Sequence, residues 1–337
     1  MVEDARVLQD EFIPREVVHR DTEVDLLSNS LEPAVEGEKP DDVLLFGPTG
    51  AGKTCISKYV LERLREEVLD VRYRYINCWR SYSRFSVLYE ILEGIDATAD
   101  IHRTSTPKDE LLRRVKEYDG SPYVVVLDEV DQLEEESVLY DLYGHENIST
   151  IMIANEENEL LAGMDDRVVS RLRSGRKVEF DGYSTHELKS ILLDRVRWGL
   201  DRECIDEDTV EEIADSAAGD ARVAIGSLRG AVRRAESADR NEVTREDVEK
   251  AVPETRENIR EESLDRLNED QEMIYSILKT SDGSMSMSDI YDEYEERVET
   301  GEVLTKRTVR SYLSKMEEYG LVESKGKGRG RTYSAVE

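Results

Sequence analysis

The residues with the most evident chemistry are Gly47, Pro48, Thr49, Gly50, Ala51, Gly52, Lys53 and Thr54, which fit the pattern G-x-x-x-x-G-K-[ST]. Its glycines let backbone N–H groups close on phosphate oxygens, and a helix starting at the lysine aims its N-terminal dipole at them. In such a loop Lys53 reaches the β- and γ-phosphates of ATP, or the β-phosphate of ADP, the Thr54 hydroxyl ligates Mg²⁺, and Cys55 follows in the same turn. Farther along, Asp128 and Glu129 end an apolar run. Asp128 is expected to hold the magnesium through its water shell, and Glu129 to polarise an attacking water.

Three further positions could complete such a site. Asn155 ends another apolar run, and parallel strands deliver their carboxyl ends on one side of a sheet, so Asn155 is expected near the γ-phosphate, orienting water. Gly219-Asp220-Ala221-Arg222 opens a helix from which Arg222 could reach back to that phosphate. In Asp166-Arg167-Val168-Val169-Ser170-Arg171, an arginine is expected to face a neighbouring subunit's nucleotide as an arginine finger, with Arg171 the first candidate and Arg167 the second.

Placing these residues together requires a particular scaffold. The runs 43–46, 123–127 and 150–154 are continuously apolar, as strands covered on both faces are, with weaker candidates at 73–76 and 177–180. Helical stretches at 53–68, 85–92 and 109–118 alternate with them, which predicts an α/β fold with a parallel sheet over residues 1–183. Beyond it, Ser184-x-x-Glu187 reads as a capping box opening an all-helical domain, 184–252. Its further helices are expected at 208–218, closed by Gly219, at 221–235, and at 244–251, opened by Thr244-x-x-Asp247. Residues 253–268 are charged and poorly periodic and read most simply as a linker, in part helical.

Residues 269–337 have a separate apolar pattern: Met273, Ile274, Ile277 and Leu278, then Ile290, Tyr291 and Tyr294, then Val309, Leu313 and Met316. Three short helices followed by a hairpin describe a winged helix-turn-helix. In the third helix Arg307, Arg310, Ser311, Ser314 and Lys315 are expected to point outward, suiting a major groove. Lys325, Lys327, Arg329 and Arg331 alternate with glycines in a basic wing that suits phosphates or the minor groove.

Composition sharpens that contrast. The 337 residues suffice for two or three domains and carry a net charge of -31, from 77 acidic and 46 basic side chains. Taken alone, such a balance argues against a nucleic-acid partner. From Val303 onward, however, eight basic residues face four acidic ones. The acidic, lysine-poor body reads as adaptation to a cytoplasm of very high salt, where a Debye length of about 3 Å screens self-repulsion. Cys55, Cys78 and Cys204 match no disulfide or metal spacing, no signal or membrane-spanning run is visible, and the protein is expected in the cytoplasm, nucleoid-associated and away from membranes.

The order of these motifs resembles the archaeal origin-recognition and replication-initiator family of AAA+ ATPases, related to eukaryotic origin-recognition and helicase-loading subunits. The resemblance rests on Phe12-Ile13-Pro14-Arg15 with His19-Arg20, the phosphate loop, Tyr75-Ile76-Asn77-Cys78, Val87-Leu88-Tyr89-Glu90-Ile91-Leu92, Leu127-Asp128-Glu129-Val130-Asp131, Gly219-Asp220-Ala221-Arg222 and the winged helix. It implies an AAA+ base, a helical lid and a winged-helix reader. It further implies that Asn155 and Arg222 are the two sensors, that Arg167 and Arg171 fall in the finger motif, and that 14–20 encloses the adenine. Residues 79–92 would be an initiator-specific insertion touching DNA. The implied function is ATP-switched binding to double-stranded origin DNA, with slow hydrolysis, assembly with other initiator subunits and recruitment of the replicative helicase. The competing classes are a winged-helix transcription regulator with a structural nucleotide and a signalling P-loop ATPase.

Overall fold

A computed structural model describes residues 1–68, 70–103, 105–201, 203–281, 283–298, 303–326 and 328–336, without the side chains of Glu159, Ala162, Gly163, Ser174 and Arg329. The chain divides into two compact units, Met1–Pro253 and Glu254–Glu337.

The first unit is built on five strands: β1 (Val43–Phe46), β2 (Arg72–Asn77), β3 (Tyr123–Asp128), β4 (Ile148–Ala154) and β5 (Arg176–Glu179). They form one parallel sheet in the order β2-β3-β4-β1-β5. Every residue of β3 and β4 is buried. Alternate side chains of a strand face opposite sides, so Val124 and Val126 enter the core formed with α1 (Asp21–Leu31) and α2 (Lys53–Glu67). Tyr123, Val125 and Leu127 enter the other core, with α3 (Arg84–Glu93), α4 (Lys108–Lys116), α5 (Ser137–Leu142), α6 (Glu157–Gly163) and α7 (Asp166–Ser174). Two covered faces explain why these strands are apolar without alternation.

Four helices follow: α8 (Thr185–Gly199), α9 (Glu207–Ser216), α10 (Ala221–Ser237) and α11 (Arg245–Leu264). The capping box forms as read, with Glu187 N–H donating to Ser184 Oγ at 3.3 Å and Ser184 N–H to Glu187 Oε2 at 2.7 Å. Helix α9 stops at Ser216, and left-handed Ala218 and Gly219 turn the chain towards α10. Helix α11 continues through Pro253 to Leu264, so most of the stretch read as a linker is helical.

The first dozen residues pack on these helices. Glu3 and Asp4 N–H groups donate to Gly199 O at 2.9 and 3.1 Å, Arg195 donates to Val7 O at 2.5 Å, and Val7 and Leu8 are buried. An apolar pair too short to form its own core takes its cover from α8 and α10.

In the second unit α12 (Glu269–Thr280), α13 (Met287–Arg297) and α14 (Lys306–Glu318) bury Ile274, Ile277, Leu278, Ile290, Tyr294, Val309, Leu313 and Met316. The expected hairpin, β7 (Val322–Lys325) with β8 (Thr332–Ala335), is joined by a short β6 (Met285–Ser286) on the free edge of β8, giving an antiparallel sheet of order β6-β8-β7. Two residues carry too little pattern to announce a strand. Among the described residues no helix is long and apolar enough to cross a membrane.

Candidate nucleotide site and nucleic-acid interface

The register of the sheet assembles the nucleotide site. Phe46 pairs with Ala154 and Asp128 with Ile153, so the residues after β1, β3 and β4 emerge along one edge. There Gly47 N–H donates to Asn155 O at 3.0 Å. Lys53 is 7 % exposed, and its ammonium donates to Pro48 O at 2.9 Å, to Gly47 O, and to Asn155 Oδ1 at 3.1 Å. Thr54 Oγ1 donates to Asp128 Oδ2 at 2.7 Å. The adjacent Lys53 and Thr54 therefore each reach a residue far along the chain, Asn155 and Asp128, 102 and 74 positions away, and the two pairs lie side by side. Beside them Glu129 adopts φ 56°, an uncommon conformation for a residue other than glycine, which redirects the chain immediately after the strand.

All three glycines of the loop have neighbours that a side chain would displace, Gly47 the backbone carbonyl of Phe180. A β-carbon on Gly50 (φ +76°) would stand 2.0 Å from Asp220 Oδ1, and one on Gly52 (φ +94°) 2.6 Å from the Tyr183 hydroxyl. Ala221 N–H also donates to Gly50 O at 3.2 Å. The start of α10 is thus seated directly on the phosphate loop. Asp220 caps α10 through the N–H groups of Arg222 and Val223, at 2.7 and 3.3 Å, and pairs with the Arg222 guanidinium at 3.0 Å.

Around the loop, Arg20 is buried against the rings of Tyr183 and Phe180, 4.1 and 5.4 Å from their centroids, and pairs with Glu23 at 2.7 Å. It anchors the end of the 14–20 segment beside the loop. Cys55 is half-buried, and burial pushes its thiol pKa up, so it is an inert packing group rather than a nucleophile. The Tyr75 hydroxyl donates to Asp128 Oδ2; burial, with the carboxylate beside it, pushes its pKa up and keeps that proton in place.

Arg171 on α7 lies over Tyr140 of α5 and Tyr143 just after it, 4.6 and 5.2 Å from the ring centroids, whereas Arg167 is exposed at the start of α7. In the 79–92 region the structure turns much of the motif inward: Trp79, Val87, Leu88, Ile91 and Leu92 are core residues, leaving Arg80 and Tyr82 exposed on the loop before α3.

In the second unit Arg307, Arg310 and Ser311 line an exposed face of α14. Lys315 does not join them: it is 3 % exposed, 3.4 Å from Glu318 and laid over the Tyr319 ring at 5.2 Å. This corrects its outward placement. Position 315 falls on the flank next to buried Tyr312, where a lysine stem packs along apolar surface. Lys325 is exposed, while Arg331 pairs with Glu317, donates to Ser324 Oγ at 2.9 Å and covers Tyr333, bracing the hairpin to α14. Lys327 lies outside the described residues, as does the Arg329 side chain.

Sequence reasoning about the site missed Asp220 and Tyr75 as its structural supports. Asp220 had a legible signal, an acid immediately ahead of a helix. Tyr75 had none, because nothing in the sequence says that β2 lies beside β3.

Comparison with known proteins agrees with this layout. A family model described as "AAA domain" matches residues 41–161, one described as "Cdc6 AAA+ ATPase-type lid domain" matches 189–252, and one described as "CDC6, C terminal winged helix domain" matches 271–337. The chain is 48 % identical over 337 residues to ORC1-type DNA replication protein 9 of Halobacterium salinarum, covering 100 % of this chain and 94 % of that protein. It is 28 % identical to the ORC1-type DNA replication protein of Thermococcus kodakarensis, over 96 % of this chain and 84 % of the other. Among solved structures, the Aeropyrum pernix ORC1 protein in complex with DNA superposes with a TM-score of 0.74 at 28 % identity, covering 99 % of this chain and 93 % of that one. Full-length identity at that level, on a parallel P-loop sheet with a helical lid and a winged helix, makes the chain a member of the archaeal ORC1-type DNA replication protein family of AAA+ ATPases.

Proposed function

We propose that this protein is an ATP-controlled replication initiator: it binds double-stranded origin DNA through the winged helix, and the nucleotide state of the AAA+ base governs assembly with other initiator subunits and recruitment of the replicative helicase. The observation that carries the reading is the single cluster of Lys53, Thr54, Asp128 and Asn155 beside a glycine loop. Lys53 neutralises the β- and γ-phosphates, and the N–H groups at the start of α2 bind their oxygens. A hydroxyl and a carboxylate 2.7 Å apart are the oxygen donors that a hard divalent cation takes, so Thr54 and Asp128 hold Mg²⁺, which when bound neutralises phosphate charge. Glu129 accepts the proton of the attacking water, Asn155 orients that water, and Arg222 reads the terminal phosphate from the lid. Turnover is slow, because the nucleotide serves as a switch. An arginine of α7 completes the site of a neighbouring subunit; exposed Arg167 suits that role better than Arg171, which is occupied by two tyrosines.

On DNA, Arg307, Arg310 and Ser311 enter a major groove while Lys325, Lys327 and Arg329 follow the backbone. The salt adaptation read from the acidic body fits a relative from Halobacterium. High salt weakens counterion release, so hydrogen bonding and DNA deformation carry more of the affinity. Footprinting on chromosomal origin fragments at molar KCl, with ATP and with ADP, tests the reading. A nucleotide-dependent footprint at the origin is expected; protection of promoters alone, indifferent to nucleotide, would refute it.

A further inference from the structure

Strand β2 carries none of the residues assigned to the nucleotide, yet it sends one side chain into the site. The Tyr75 hydroxyl donates to Asp128 Oδ2, the same oxygen that accepts from Thr54 Oγ1 at 2.7 Å. Asp128 Oδ1 accepts from Glu129 N–H at 3.0 Å. Three donors thus act on one carboxylate that is 5 % exposed, and together they fix its plane. The ring of Tyr75 is held in turn by Lys58, whose ammonium lies 4.3 Å from the ring centroid, one helical turn beyond Thr54 on α2. A phenol wedged between α2 and the end of β3 ties the two sequence motifs together from behind.

We propose that Tyr75 is a positioning residue for the magnesium site, its hydroxyl fixing the orientation of the Asp128 carboxylate so that Asp128 and Thr54 meet the cation together. The proposal rests on the reading of Thr54 and Asp128 as the residues that hold magnesium. Groups that orient a metal-binding side chain commonly alter metal affinity by roughly 10- to 100-fold when removed.

The test is a magnesium titration of a fluorescent ATP analogue bound to the full chain in molar KCl, with parallel binding in EDTA. Tyr75→Phe removes one oxygen and keeps the ring under Lys58. It should need about tenfold more magnesium for half-maximal tightening while binding in EDTA stays within about twofold of wild type. A magnesium curve matching wild type overturns the proposal, and so does an equal loss with and without magnesium, which is what a purely structural tyrosine would give. Asp128→Asn separates the two levels: a wild-type magnesium response in that variant brings down the underlying metal reading, and the proposal with it. If Tyr75→Phe does not fold, Lys58→Met loosens the same ring; a two- to threefold shift of the magnesium midpoint supports the proposal, and an unshifted one overturns it.

Discussion

The backbone N–H of Ala221, at the start of α10, donates to the carbonyl of Gly50 in the phosphate loop at 3.2 Å. The neighbouring Asp220 carboxylate fills the space in which a β-carbon of Gly50 would sit. The loop and the lid are therefore one mechanical unit, and a change on either side is felt by the other.

Gly50→Ala should weaken nucleotide binding at least tenfold and lower stability by about 1–2 kcal/mol, since the left-handed conformation alone costs an alanine that much. In a cycle with Asp220→Ala the two effects should not add, because the second change vacates the clashing position; a coupling of more than about 0.5 kcal/mol is expected. Strict additivity in nucleotide titrations and thermal melts would show that the contact is unimportant.

Lys53 and Glu129 should separate binding from hydrolysis. Lys53→Ala loses charge-assisted hydrogen bonds to phosphate worth about 1.5–3 kcal/mol, so ATP affinity should fall roughly 10- to 100-fold. Glu129→Gln keeps the size of the side chain but cannot take a proton; ATP affinity should hold while single-turnover hydrolysis drops by about 10²–10⁴. Unimpaired hydrolysis in Glu129→Gln would move the base elsewhere.

On the winged helix, exposed and buried cations should behave differently. The double variant Arg307→Ala/Arg310→Ala should bind origin DNA more weakly, by about 1–3 kcal/mol for each lost base contact, and should discriminate less between origin and unrelated DNA. Lys315→Ala should leave DNA affinity and discrimination alone and instead lower the melting temperature, since Lys315 packs on Tyr319 beside Glu318. The reverse pattern would return Lys315 to the DNA face.

His145 ties the start of β4 to α4. Its Nδ1 accepts from Asn147 and Ile148 N–H at 3.1 and 3.2 Å, leaving Nε2–H to donate to Val115 O at 2.9 Å. Burial lowers its pKa, so the folded chain resists a proton that the unfolded chain accepts. The stability it contributes is complete above the unfolded value of about 6.5 and is lost as pH falls below it. His145→Gln should cost about 1–2 kcal/mol at pH 8, with the gap to wild type closing as pH falls below about 6.5 in thermal melts at constant salt. A gap that stays constant as pH falls below about 6.5 would mean the ring is not held neutral.

Sequence alone set the chemistry of the loop, the apolar strands and the caps, because each is a local rule. A glycine-lysine-threonine turn, a run without polar residues and the spacing from Ser184 to Glu187 can be recognised without knowing what they touch. It also revealed a basic end on an acidic chain, since charge is a sum over residues. Tertiary structure alone decided which strands are neighbours, and with that whether Lys53 meets Asn155 and whether Tyr75 meets Asp128, contacts that span 102 and 53 residues. It likewise turned Lys315 inward and divided Arg167 from Arg171, because exposure on a helix flank depends on what packs beside it. The order of strands in a sheet is chosen by packing across both faces at once, and no local pattern records that choice.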